Sequence, residues 1–247
     1  MSTIGLAVIT FNEEKTIRKV LESVPFAIEK VVVDSFSTDQ TVSIANDCGA
    51  KVISKKWQGY AKQKQFCLDQ MTTDWVLVLD GDEWLTKELS KEIVETINSS
   101  VNYDGYYLTR HLVFLGRVLS NGRGVDHQLR LFKRGKGHYS EREIHEEIIV
   151  DGTTSNLQKA IIHHSSITIS DELLKLERDT TIELQYYGGS KSYLINMIFR
   201  PLVFWLTMMI KGTWKDGIPG IIFLTMTSYK YFILAAKKYE KDISDTK

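Results

Sequence analysis

Three carboxylates occupy four consecutive positions in Asp80-Gly81-Asp82-Glu83, directly after the apolar run Val76-Leu77-Val78-Leu79. Carboxylates held this close repel one another. A hard divalent cation with oxygen ligands relieves that repulsion, and Gly81 lets the backbone come close to a ligand. The competing reading is a solvated acidic turn before a helix. Two other polar clusters also follow apolar runs: Thr10-Phe11-Asn12-Glu13 and Asp34-Ser35-Phe36-Ser37-Thr38-Asp39. Each cluster alone is a weak signal, so their value depends on whether the fold gathers them.

The hydrophobic spacing says that it does. Residues 4–10 form a continuous apolar run, as a buried parallel strand requires. Residues 13–24 place Ile17, Val20, Leu21 and Val24 at helical spacing, closed by Pro25. Further strands are predicted over 30–34, 51–54 and 75–79, and helices over 41–48, 61–71 and 86–97. This alternation predicts an α/β fold with a mostly parallel sheet and helices on both faces. Ligands bind such sheets at the carboxyl ends of their strands, and there Thr10, Asn12, Glu13, Asp34, Asp80 and Asp82 come to one edge. Residues 101–165 read as a mixed, loop-rich half, with strands at 105–110, 127–132 and 160–164. A helix over 170–187 takes Ser170 as its N-cap.

Lys+Arg and Asp+Glu are both 31, giving a net charge of zero, which argues against a nucleic-acid binder. The zero conceals a division. Residues 1–185 carry 22 basic and 27 acidic side chains, and residues 186–247 carry 9 and 4. Cys48 and Cys67 are too few for a disulfide framework or a four-cysteine zinc site and read as reduced thiols. The first apolar run lacks a basic flank and meets Glu13-Glu14, so it reads as a strand and not a secretion signal.

The three clusters, in this order, resemble the family 2 glycosyltransferases of the GT-A fold. More narrowly, they resemble the branch that builds the lipopolysaccharide or lipooligosaccharide core. Matching segments continue through Trp57-Gln58-Gly59-Tyr60-Ala61-Lys62-Gln63-Lys64-Gln65-Phe66, Gln128-Leu129-Arg130-Leu131-Phe132, Ile144-His145-Glu146 and Asp216-Gly217-Ile218-Pro219-Gly220. The resemblance implies a Rossmann-like mixed sheet that binds a nucleotide-diphospho-sugar. It implies that the loop at residues 10–13 and Asp34 hold the nucleoside, with Glu13 near the ribose, and that Lys64 approaches the nucleotide. Asp80 would face the ribose and metal, and Asp82, with His163, would hold Mg²⁺ or Mn²⁺ at the diphosphate. His163 also reads as an ordinary core histidine beside His164. Three positions depart from the family pattern: Phe36 in place of glycine, Lys64 in place of arginine and Gln65 in place of asparagine.

A nucleoside diphosphate leaves readily once a cation neutralises it, so direct displacement needs one base for the acceptor hydroxyl. Such displacement inverts the anomeric carbon. Glu146 and Asp126 are the two candidates, Glu146 by motif match. Arg130 suits a phosphate of donor or acceptor, or equally a salt bridge at a strand edge. The expected activity is transfer of one hexose, glucose from a UDP-sugar, to an inner-core heptose. Transfer to a polyprenyl-phosphate carrier and a non-catalytic sugar-nucleotide or membrane scaffold are the alternatives.

The tail is expected to act separately. Residues 1–185 read as the GT-A domain, with a nucleotide-sugar half at 1–100 and an acceptor half at 101–185. Residues 186–247 read as a basic, apolar, amphipathic helical segment. Its two apolar stretches, 194–210 and 218–236, are poor membrane spans because Arg200-Pro201 and Lys230 interrupt them. Between Tyr186 and Tyr239, seven basic residues against one acidic residue, with the aromatic side chains of Trp205, Trp214, Tyr229 and Tyr231, suit helices lying in an anionic membrane interface. The expected location is peripheral, on the cytoplasmic face of the inner membrane. The competing reading is a buried helical pair at a homo-oligomer interface.

Overall fold

The structure, a computed structural model, describes residues 2–100, 103–140, 147–166, 168–187 and 192–245. β1 (Ile4–Thr10) is buried at every position, as a strand covered on both faces must be. It is followed by α1 (Ile17–Glu22), β2 (Glu29–Asp34), α2 (Thr41–Asp47), β3 (Lys51–Ser54), α3 (Tyr60–Asp69), β4 (Trp75–Asp80), β5 (Glu83–Leu85) and α4 (Lys87–Ile97). α4 shows why the local pattern suffices: Leu89 N donates to the Thr86 cap hydroxyl at 3.2 Å, and Leu89, Ile93 and Ile97 form its buried stripe. Then come β6 (Gly105–Phe114), β7 (Arg117–Leu119), β8 (Val125–Lys133), β9 (Gly137–Tyr139), β10 (Ile148–Val150), β11 (Thr154–Ser166), α5 (Ile169–Glu183), α6 (Arg200–Ile210) and α7 (Gly217–Ser244).

Among the described residues, nine strands form one sheet in the order β3-β2-β1-β4-β8-β6-β11-β5, with β7 on β6. β3, β2, β1 and β4 are parallel. β8 runs antiparallel to β4, so the sheet is mixed. The chain builds outward from β1 to β3 and then returns to place β4 on the other side of β1. Such a reversal of strand order opens a crevice beyond the carboxyl ends of the strands. Alternate residues of the central strands feed two apolar clusters. Leu6, Val8, Leu77 and Leu79 pack with Ile17, Leu21, Leu89 and Ile93, and Ala7, Val31, Val33 and Val78 pack with Cys67 and Leu68.

Two expectations are revised. Glu83 does not simply end an acidic turn; it begins β5, which pairs antiparallel with β11 in the register Glu83↔His163 and Leu85↔Ile161. The cap of α5 is Thr168, not Ser170. Thr168 N donates to Asp171 Oδ2 at 3.0 Å and Asp171 N donates to Thr168 Oγ1 at 3.1 Å, a reciprocal box that satisfies two exposed donors.

The chain divides into two compact units, 1–110 with 126–163 and 111–125 with 164–247. In the second unit, α6 and α7 form an antiparallel hairpin. Trp205 Nε1 donates to Thr225 Oγ1 at 3.2 Å, and the Phe204 and Tyr231 rings lie 4.9 Å apart. Pro201 stands in the first turn of α6, preceded by a π-helical segment, Ile195–Phe199. A proline tolerated at a helix start and a locally widened helix explain how this stretch stays helical. Buried Asp216 accepts from Ser120 N at 3.1 Å, Asn121 N at 3.0 Å and Asn121 Nδ2 at 2.7 Å. Several basic residues of the tail are paired within the unit: Lys230 with Glu183, Lys237 with Glu177 at 2.7 Å and Lys238 with Asp242 at 2.6 Å. By length and composition, one helical stretch among the described residues, Thr213–Ser244, is long and apolar enough to cross a membrane.

Candidate active site

Parallel register sets the three clusters level. Thr10 pairs with Asp34 across β1 and β2, and Ile9 pairs with Asp80 across β1 and β4. The loop after β1 is stitched to the loop after β2. Asn12 N donates to Ser37 Oγ at 2.9 Å, Thr38 N to Asn12 Oδ1 at 2.8 Å, and Glu13 N to Thr41 Oγ1 at 2.7 Å. Asp34 is buried and accepts from both the backbone N–H and the hydroxyl of Ser37. Phe36, at the position where glycine is common, has φ +63°, and Asn12 has φ +56°. Left-handed backbone is costly for any residue with a Cβ, so the loop holds Phe36 in a conformation that glycine adopts freely, while its ring stays exposed.

Beyond β4 the charges form an alternating chain. Lys64 Nζ lies 2.9 Å from Asp80 Oδ1. Arg130 Nη2 lies 2.9 Å from Asp80 Oδ2 and 2.8 Å from Glu83 Oε1. Arg110 donates to Glu83 Oε1 at 2.8 Å and grips Asp126 at 2.9 and 2.6 Å. Glu83 is wholly buried, and a charge buried to that degree persists only when paired. Burial opposes ionisation of Asp80, but Lys64 and Arg130 outweigh it and hold the carboxyl far below the usual range. Asp126 behaves alike: burial opposes its charge, and Arg110 still holds it below the ordinary carboxylate range. Arg130 is therefore engaged as a counter-ion to two carboxylates, the structural role weighed for it beside phosphate binding.

Two residues after Asp80, Asp82 Oδ2 lies 3.2 Å from His163 Nε2. Gly81 packs so closely that a Cβ there would stand 3.0 Å from Glu13 Cγ and 3.1 Å from Thr10 Oγ1. The Thr16 hydroxyl lies 2.8 Å from both Glu13 Oε2 and Gly81 O. Burial pushes the Glu13 carboxyl up to about 7, and the neighbouring Asp82 adds to the rise. Thr10 Oγ1 is buried with no hydrogen-bond partner among the described residues.

This donor set fits a divalent cation that keeps most of its ligands from water and substrate. Adjacent ligands of an octahedral ion at about 2.1 Å lie about 3.0 Å apart, close to the separation of Asp82 and His163. Among the described residues no group of three or more His, Cys, Asp or Glu side chains is set to hold a metal. Among the described residues, Asp82 and His163 are the two side chains placed to serve as ligands.

The structure thus brings together Thr10, Asn12, Glu13, Asp34, Lys64, Asp80, Asp82, Asp126, Arg130 and His163. Glu146 lies outside the described residues. Sequence reasoning missed Arg110, Gln63 and Thr16. Gln63 is buried in α3 and donates to Ser35 Oγ at 3.1 Å and Lys55 O at 3.0 Å, bracing the loop after β2. A polar residue on the inward face of a helix, and an arginine at the end of the run 105–110, were the available signals.

The chain is similar to known proteins in sequence and in fold. The family model described as "Glycosyl transferase family 2" matches residues 6–157. A Rhizobium meliloti (strain 1021) protein, the lipopolysaccharide core biosynthesis glycosyltransferase LpsC, is 31% identical over 246 residues, 95% of this chain and 91% of its own length. An uncharacterized glycosyltransferase of Rickettsia typhi is 44% identical over 133 residues, 53% of this chain and 43% of its own. Among solved structures, S. aureus TarS 1-349 in complex with UDP-GlcNAc superposes with a TM-score of 0.50 at 17% identity, over 94% of this chain and 81% of that one. That likeness gives the fold, which is GT-A.

Proposed function

The chain belongs to glycosyl transferase family 2, and from that premise we propose that it is an inverting transferase of lipopolysaccharide or lipooligosaccharide core assembly. It moves one hexose, glucose from a UDP-sugar, to an inner-core heptose of a lipid-linked acceptor. The likeness to LpsC along 95% of the chain supports the acceptor class. The observation that carries the reading is the pair Asp82 and His163, 3.2 Å apart beside Asp80 at the end of β4.

In this reading Asp34 accepts from the base, Asn12 and Thr10 shape the nucleoside loop, and Glu13 and Asp80 face the ribose. Lys64 lies toward the nucleotide. Asp82 and His163 hold Mg²⁺ or Mn²⁺, which when bound neutralises charge on the leaving diphosphate. The acceptor hydroxyl then gives its proton to a carboxylate. A general base works best with a pKa near the working pH. Arg110 occupies both oxygens of Asp126 and keeps its proton affinity low, which favours Glu146 for this step. Asp126 then positions Arg110 in the chain of charges. Arg130 supports the phosphate side indirectly, by fixing Asp80. The enzyme works on the cytoplasmic face of the inner membrane, held there peripherally by its tail.

The test is transfer from a panel of UDP-sugars by purified protein, with Mn²⁺ and heptose-bearing core lipid as acceptor. Polyprenyl phosphate serves as the competing acceptor. Hexose transfer to the core lipid, lost on chelation and in Glu146→Ala, is the expected result. No transfer from any donor, together with no UDP binding, overturns the reading.

A further inference from the structure

We infer that the turn joining α6 to α7 is the surface by which the protein docks on an anionic lipid bilayer. The inference deepens the peripheral-membrane reading above and rests on it. Ile210, Trp214 and Ile218 are 86%, 55% and 74% exposed and lie within this one turn. Lys211 and Lys215 stand between them, both exposed and without an ion pair among the described residues. Exposed Arg117 joins them, its Nη2 donating to Lys215 O at 3.4 Å. The single acid of the turn, Asp216, is buried and bound to Ser120 and Asn121. The turn therefore presents aliphatic and indole surface ringed by cations, with no exposed anion of its own.

The rest of the hairpin contrasts with it. Lys230 and Lys237, further along α7, are bound to Glu183 and Glu177 of α5. The second unit thus sorts its cations, keeping some paired with carboxylates and leaving Lys211 and Lys215 at the tip without an ion pair among the described residues, Lys215 lying over the Trp214 ring at 5.8 Å. Aliphatic side chains suit the acyl boundary of a bilayer, an indole suits the headgroup level and lysines suit lipid phosphates. The exposed apolar face of α6, through Leu202 and Leu206, continues the same surface. α7 is long enough to cross a membrane. Crossing would carry the Lys230–Glu183 and Lys237–Glu177 pairs into hydrocarbon, whereas docking by the tip leaves them in place.

The experiment uses the full-length protein and vesicles of phosphatidylethanolamine with or without phosphatidylglycerol. Flotation with the anionic vesicles is expected, falling about tenfold or more for Trp214→Ser with Ile218→Ser and for Lys211→Glu with Lys215→Glu. Leu174→Ser, on the exposed face of α5, floats like the wild type. Circular dichroism confirms folding of each variant. Trp214→Phe keeps flotation but loses most of the fluorescence quenching by brominated lipid, a readout that needs no unfolding-prone variant. Tip variants that float like the wild type overturn the inference. So does light scattering that finds a dimer abolished by the same substitutions, which assigns the surface to a second copy. Transfer measured in detergent separates the two readings. Transfer without tip-dependent flotation sinks only the docking surface, and tip-dependent flotation without transfer sinks only the proposed reaction.

Discussion

His163 Nε2 lies 3.2 Å from Asp82 Oδ2 because β5 pairs with β11 in the register Glu83↔His163. Two residues far apart in the chain are made neighbours by three backbone pairings. Asp82→Asn and His163→Ala should each weaken Mn²⁺ binding in the presence of UDP by about tenfold or more. Asp82→Asn should lower kcat on the order of 10²-fold. Titration calorimetry reads the first effect and initial rates the second. Wild-type Mn²⁺ affinity in both variants would remove this pair from the metal site.

Arg110 should matter to stability as much as to activity. Arg110→Met leaves wholly buried Glu83 with Arg130 as its one remaining ion-pair partner among those described. Breaking a buried pair from one side costs about 3–5 kcal/mol, readable as a lower urea midpoint. Adding Glu83→Gln to that variant should recover part of the loss, because the buried charge left with fewer partners is then gone.

Glu13 makes the metal-free protein sensitive to pH. Its carboxyl is raised from 4.5 to about 7, so between those values the folded state binds more protons than the unfolded one. The Glu13 contribution to stability therefore falls as pH rises through that window, by at most about 3 kcal/mol, and is constant on either side. Glu13→Gln should remove this share of the slope. Urea unfolding at pH 5 and pH 8 checks it, and identical slopes in the two proteins would refute it.

Phe36 offers a simpler comparison. At φ +63° glycine avoids a Cβ clash that alanine retains. Phe36→Gly should thus be more stable than Phe36→Ala by about 1 kcal/mol, measured by thermal unfolding.

The parts of this architecture that local pattern controls were legible in the sequence. β1 announces itself as seven apolar or small residues in a row, and α4 as a capped helix with an apolar stripe. The carboxylates at the strand ends were legible too, because the end of an apolar run marks where a parallel strand leaves the sheet. β5 was not, since three residues have no period to read and its identity comes from pairing with β11. The role of Arg110 was hidden for the same reason. Its partners Glu83 and Asp126 lie on other strands, and only the strand order β8-β6-β11-β5 places those elements together. The cap of α5 moved from Ser170 to Thr168 because a reciprocal box with Asp171 outcompetes a lone hydroxyl.

Asp216 gives the tail a further meaning. It closes its turn on the backbone of Ser120 and Asn121, so the segment 111–125 completes its folding unit only with residues from the far end of the chain. A chain shortened before α6 would strand those two amide donors. Grafting a different ending onto the catalytic body would leave the same gap. Exchanging such endings between relatives would mean moving two separated stretches of sequence together, and variation in one constrains variation in the other.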